Sequence, residues 1–130
     1  MAGEIALDTS VAIRYLNGDA MVVARVTALP TIIVLPLPVV AELLFGAENS
    51  ARPLQNLTRY LQFIEACALV SMGRETASSY AQTRLTLKRK GRPIPENDIW
   101  IAAQCLEHGW RLATNDEHFN YVDNLIVEQW

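Results

Sequence analysis

Thr31-Ile32-Ile33-Val34-Leu35-Pro36-Leu37-Pro38-Val39-Val40-Ala41-Glu42 joins two kinds of structure in one short stretch. Residues 31–35 form an apolar run rich in β-branched side chains, the pattern of a strand buried on both faces. Pro36 and Pro38 end that strand, and prolines so placed suit the first turn of a helix. A helix is therefore predicted over Val39–Ala47. Outward from this point the same alternation recurs. Glu4–Leu7 reads as a short strand ending at Asp8, with Thr9 and Ser10 offering helix N-caps for Val11, Ile13, Tyr15 and Leu16. Asn17-Gly18-Asp19 is a turn, and Ala20–Leu29 resumes a helical pattern. Beyond Pro53 a helix carries Leu57, Leu61 and Ile64, followed by a brief strand at Ala68–Ser71. Glu75–Lys90 is a long helix closed by Gly91, and Asn97–His108 a helix closed by Gly109. Strands at Arg111–Ala113 and Leu125–Glu128 complete the chain. Strands alternating with helices predict an α/β fold, a mostly parallel sheet of four to five strands with helices on both faces.

The 130 residues are 51% hydrophobic and 19% charged, which suits one folded domain spanning residues 1–130. No apolar run reaches the length of a membrane span. Glu4 and Asp8 interrupt the N-terminus before a signal peptide could form. Cys67 and Cys105 lie in apolar runs without CxxC spacing, so free buried thiols and a cytoplasmic setting are expected. A net charge of −3 argues against a protein that coats nucleic acid by bulk attraction. It leaves room for a nuclease whose carboxylates hold cations, because bound ions reverse the local sign. The basic run Lys88, Arg89, Lys90 and Arg92 is read as a solvated helix end favoured by the dipole.

Of the 14 acidic residues, most fall in turns, at helix ends or on polar faces. Asp8, Glu42, Asp98 and Asp116 are harder to dismiss as a group, although Asp8 or Asp98 taken alone reads as a helix cap or strand-end turn. Asp8 and Asp116 each follow the carboxyl end of a predicted strand, the edge of an α/β sheet where ligands bind. Glu42 stands three residues after Val39 and three before Phe45, on an apolar helix face. Asp98 heads the stripe Ile101, Ala102 and Cys105. A buried carboxylate without a partner costs several kcal/mol, so something must compensate these four. Basic side chains, backbone N–H groups and metal ions are the candidates, and Arg14 is the one basic residue near them in sequence. A cation accounts for all four positions together. Oxygen ligands without Cys or His favour Mg²⁺ or Mn²⁺ over zinc.

The segments Leu7-Asp8-Thr9-Ser10, Val40-Ala41-Glu42-Leu43 with Gly46, Pro95-Glu96-Asn97-Asp98 with Ile101-Ala102-Ala103, and Thr114-Asn115-Asp116 closely resemble PIN-domain proteins, and more narrowly VapC-type toxins. The resemblance covers essentially the whole chain and implies a PIN-like fold with a metal-dependent endoribonuclease activity. It implies Asp8, Glu42, Asp98 and Asp116 as the catalytic metal ligands, with Thr9, Ser10, Thr114 and Asn115 supporting them or facing the scissile phosphate. It further implies a cognate VapB-like antitoxin, an RNA substrate, a homodimer paired through helices of the first half, and operator DNA reached only through the antitoxin. Two features depart from the pattern. Asp116-Glu117-His118-Phe119 carries extra acid, and Asp123-Asn124 replaces a Pro-Gly turn.

The chemistry expected of such a site is in-line attack of water on a phosphodiester. Glu42 is assigned as a ligand, directly or through water, and as a candidate proton acceptor. His108 is read as a helix C-terminal residue and His118 as a surface residue. Tyr15, Phe45, Phe63 and Trp100 are assigned to core or dimer packing, and Trp110 to packing. Two other functions compete. A catalytically silent scaffold acting as an antitoxin-dependent co-repressor would have no reason to bury four acids. A receiver domain or phosphatase would need a second Asp near Asp8 and a late Lys, and both are missing from the sequence.

Overall fold

The computed structural model describes residues 4–130. Among them the chain forms β1 (Ile5–Leu7), α1 (Thr9–Leu16), α2 (Ala20–Thr27), β2 (Ile33–Leu35), α3 (Leu37–Glu48) and α4 (Pro53–Ala66), then β3 (Ala68–Leu69), α5 (Arg74–Lys90), α6 (Glu96–His108), β4 (Arg111–Thr114), a 3₁₀ turn at Glu117–Tyr121 and β5 (Val127–Gln129). The strands are short; β1 and β2 are buried at every position, while the edge strands β3 and β5 are only partly covered. Strands buried on both faces cannot alternate apolar with polar, which is why they read as continuous apolar runs.

The five strands lie in the order β3-β2-β1-β4-β5, and every neighbouring pair is parallel. Ile5 is in register with Ile33 on one side and with Arg111 on the other. The chain thus builds outward from β1 through β2 to β3, then returns to β4 on the opposite side of β1. The reversal opens a crevice at the carboxyl ends of β1 and β4, where open α/β sheets bind ligands. The Asp8 N–H donates to Ala113 O at 3.0 Å, extending the β1–β4 ladder one residue into the crevice.

Ile5, Leu7, Leu35, Leu43, Ile101, Leu112 and Phe119 are among the fully buried side chains of the core. One buried polar group ties three elements together. The Gln104 carboxamide on α6 accepts from the Leu37 N–H at 3.0 Å and donates to Val70 O at 2.9 Å. It satisfies an otherwise orphaned donor at the start of α3, where Pro36 offers no side-chain cap. Gly91 (φ 68°) and Gly109 (φ 71°) end α5 and α6 in the left-handed conformation, as predicted.

Several expectations need correction. Asp8, not Thr9 or Ser10, caps α1, its carboxylate accepting from the Thr9 N–H at 2.7 Å. The polar turn at Glu117–Tyr121 was not foreseen; Asp116 caps it, and Phe119 anchors it in the core. Phe45 is 69% exposed, so Glu42 does not share a buried face with it. The basic run is only partly a solvated end. Lys90 Nζ donates to Tyr121 O at 3.0 Å and pairs with Asp123, and Arg92 lies over the Tyr121 ring at 4.8 Å. Trp110 is packed away from solvent. Cys67 and Cys105 are both free; burial pushes the Cys67 thiol up to about 11 and raises Cys105 further. Among the described residues, no helix is long and apolar enough to cross a membrane.

Candidate metal centre

Asp8 enters the crevice from the end of β1 and Asp116 from the loop after β4. Glu42 comes from the second turn of α3, and Asp98 from the first turn of α6. A lattice of hydroxyls fixes Asp8, Glu42 and the Asp116 loop. Thr114, fully buried, donates its hydroxyl to Asp8 Oδ2 at 2.7 Å and accepts from the Asp116 N–H at 3.0 Å. One side chain therefore sets the spacing of two acids from neighbouring strands. Thr9 Oγ1 donates to Glu42 Oε1 at 2.8 Å, linking α1 to α3. At the rim, Ser10 Oγ donates to Asn115 Oδ1 at 3.1 Å and stands 3.4 Å from Asp8 Oδ2. The predicted supporting residues Thr9, Ser10, Thr114 and Asn115 are thus all drawn into one network with the acids.

Electrostatics ties the four together. Burial, aided by the charges of Asp8, Asp116 and Glu42, pushes the Asp98 carboxyl up to about 7. Asp8 is also raised, chiefly by burial, against the opposing hydrogen bonds from Thr114 and Thr9; the charges of Asp116 and Glu42 add to the rise. Arg14 does not relieve this repulsion. Its guanidinium is committed elsewhere, Nε to Asp19 Oδ2 at 3.2 Å and Nη1 to Trp130 O at 2.7 Å.

The histidines separate. His108 ends α6, stacks on Trp110 at 4.5 Å between ring centroids and lies 3.4 Å from Glu107, as its reading required. His118 differs from the surface role assigned to it. Its ring is half exposed, yet Nδ1 lies 3.0 Å from Asp116 Oδ1 and 3.9 Å from Asp98 Oδ2. A histidine does sit among the acids, contrary to the expectation of oxygen donors alone. The signal available in the sequence was its position two residues past Asp116, which matters only once a 3₁₀ turn folds it back.

Converging carboxylates whose mutual repulsion is relieved, among the described residues, by no Lys or Arg and only partly by His118 are suited to a hard divalent cation. The residues present fit such an ion. Asp98, Asp116 and His118 each offer one ligand atom, and these atoms lie within 4.8 Å of one another.

Comparison with known proteins identifies the family. Residues 5–125 match the PIN domain family. Ribonuclease VapC2 of Haemophilus influenzae is 33% identical over 92 residues, covering 70% of each chain. The chain belongs to the VapC-type PIN family. The tRNA(fMet)-specific endonuclease VapC of Shigella flexneri is 32% identical over 90 residues, 68% of each chain. The crystal structure of VapBC2 from Rickettsia felis, bound to a DNA fragment from their promoter, superposes with a TM-score of 0.90 at 26% identity, covering 97% of this chain and 98% of that one. A VapC-type PIN fold accounts for the strand order found here and for a crevice at the β1–β4 reversal.

Proposed function

We propose that residues 1–130 act as a single PIN domain, the toxin of a type II toxin–antitoxin pair. Its activity is that of a metal-dependent endoribonuclease working in the cytoplasm as a homodimer. Asp8, Glu42, Asp98 and Asp116 would hold Mg²⁺ or Mn²⁺. The observation that carries this reading is the match of residues 5–125 to the PIN domain family, with Asp8, Glu42 and Asp116 all acting electrostatically on Asp98 at one crevice. The bound cation would supply positive charge for the phosphate and acidity for the attacking water.

The chain's own residues do the rest. Thr114 holds Asp8 and the Asp116 loop at fixed separation, so the acids need no reorganisation when substrate arrives. Glu42, oriented by Thr9 and half-buried, takes the proton of the attacking water. Ser10 and Asn115 present a hydroxyl and a carboxamide at the rim, within reach of a scissile phosphate. Beside the crevice, Leu37, Pro38, Ala41, Met72, Ala77 and Trp100 line an open apolar depression of about 370 Å³. This depression suits an apolar segment of a VapB-like antitoxin, and operator DNA would be reached only through that partner; the similar VapBC2 of Rickettsia felis is bound to promoter DNA as a complex.

Purified protein with Mg²⁺ or Mn²⁺ is expected to cut a structured RNA, and Asp98→Asn is expected to leave it intact. Cleavage that survives EDTA would sink the metal mechanism. The silent co-repressor reading requires a chain that binds antitoxin and no Mn²⁺, and four electrostatically coupled acids at one crevice speak against it.

A further inference from the structure

His118 is the one side chain at the acidic crevice that the reading above leaves without a task. It stands on the 3₁₀ turn that Phe119 anchors in the core, and its own N–H donates to Asp116 Oδ1 at 2.9 Å. Lys90 and Arg92 brace the far end of that turn through Tyr121. The ring is therefore held, not merely solvated, with Nδ1 toward Asp116 and Asp98.

Without an ion, the Nδ1–Asp116 contact is an ion pair when the ring is protonated; the same spacing also admits a shared cation. Around an octahedral divalent ion with bonds of about 2.1 Å, adjacent ligand atoms stand about 3.0 Å apart and opposite ones about 4.2 Å. Nδ1 lies 3.0 Å from Asp116 Oδ1 and 3.9 Å from Asp98 Oδ2, inside that span. Among the described residues, this is the trio of potential ligands brought so close.

We propose that His118 ligates, through Nδ1, the same cation that Asp98 and Asp116 hold, turning an all-oxygen centre into a mixed nitrogen and oxygen one. The inference rests on the quartet being a metal site. Imidazole suits transition metals, whereas Mg²⁺ prefers carboxylate, carbonyl and water. The consequence is a site that prefers Mn²⁺, and later transition ions, to Mg²⁺. The proton of the neutral ring then resides on Nε2, facing solvent.

The test is pulsed electron paramagnetic resonance of the full chain loaded with Mn²⁺. The wild type is expected to show nitrogen modulation from one imidazole, altered by ¹⁵N-histidine labelling. His118→Ala is expected to abolish it. The same substitution should lower Mn²⁺ affinity about tenfold or more, as loss of even an outer-shell partner can, while Mg²⁺ affinity changes less than twofold. Wild-type Mn²⁺ binding without histidine nitrogen modulation overturns the proposal, and so does modulation that persists in His118→Ala. Asp98→Asn separates the two readings. If it binds Mn²⁺ like the wild type, the quartet itself is not the site; if it loses Mn²⁺ while the wild type shows no histidine nitrogen, only the role of His118 fails.

Discussion

At Asp98, burial and the charges of Asp8, Asp116 and Glu42 all act in one direction, and the carboxyl titrates at about 7 instead of 3.8. Between those values the folded, metal-free chain keeps a proton that the unfolded chain has released. Stability must therefore be fullest below about pH 4 as far as this group is concerned, and fall as pH rises toward 7. The effect is on the order of 2 kcal/mol, less than the full elevation implies because neighbouring acids share the proton. Thermal melts in EDTA should show Asp98→Asn more stable than the wild type at pH 8 and little different at pH 4. Equal melting at pH 8 would mean that the repulsion is absent. Added Mg²⁺ or Mn²⁺ should raise the wild-type melting temperature more at pH 8 than at pH 5.5, because below 7 the ion competes with a proton. Thr114 permits a second test at this scale. Thr114→Val keeps the shape but removes the donor to Asp8 and the acceptor for Asp116. Calorimetry should find Mn²⁺ binding weakened about 10–100-fold, with Thr114→Ser restoring it; unchanged binding in the valine variant would show the hydroxyl to be dispensable.

Among the elements, helices and strands were legible wherever glycine or proline punctuates them. Gly91 and Gly109 close α5 and α6, Pro36 and Pro38 open α3, and Pro53 opens α4. The turn at Glu117–Tyr121 escaped because five residues are too few for a helical period, and its single apolar anchor, Phe119, resembles any loop aromatic. With the turn unseen, His118 is read as near the site but as a surface residue, because nothing in the sequence folds its ring back onto Asp116. Gln104 escaped for a related reason: a lone Gln on a helix reads as solvent-facing until α3 and β3 are known to end beside it. It is fully buried, and it alone joins the Leu37 N–H to Val70 O across three elements. Because α3 carries Glu42, the position of a crevice acid depends on it. Gln104→Leu keeps the bulk but strands a buried donor and acceptor, and should cost about 2–4 kcal/mol in urea unfolding. A cost below about 0.5 kcal/mol would show that water replaces the carboxamide without loss.

Across the whole molecule, the α/β class followed from alternation, but the strand order did not, since periodicity says nothing of which strands become neighbours. The order β3-β2-β1-β4-β5 is what carries Asp8 and Asp116, from opposite ends of the chain, to one crevice. The acids were nonetheless legible as a set: singly each could be a cap or a strand-end residue, as Asp8 and Asp116 also are, but four such carboxylates together point to one shared cation. The opposite anomaly appears on the outer helices. Leu54 is 82% exposed, Leu61 42%, Phe45 69% and Met21 65%, and Leu54 and Leu61 are two helical turns apart on one face of α4. The adjacent helices α3 and α4 pack together, so Phe45 extends the apolar surface beyond α4. A fully exposed leucine forgoes roughly 2 kcal/mol that burial would return, so Leu54 in particular is a candidate for an association surface. A second copy of the chain is the occupant that the family membership leads one to expect. Sedimentation equilibrium should therefore give twice the chain mass for the wild type. Leu54→Glu combined with Leu61→Glu, which places charges on a face that the monomer already exposes, should give a folded monomer whose metal binding is intact. A double variant that stays dimeric would move the interface away from α4, and a wild type that sediments as a monomer would leave these leucines to another partner.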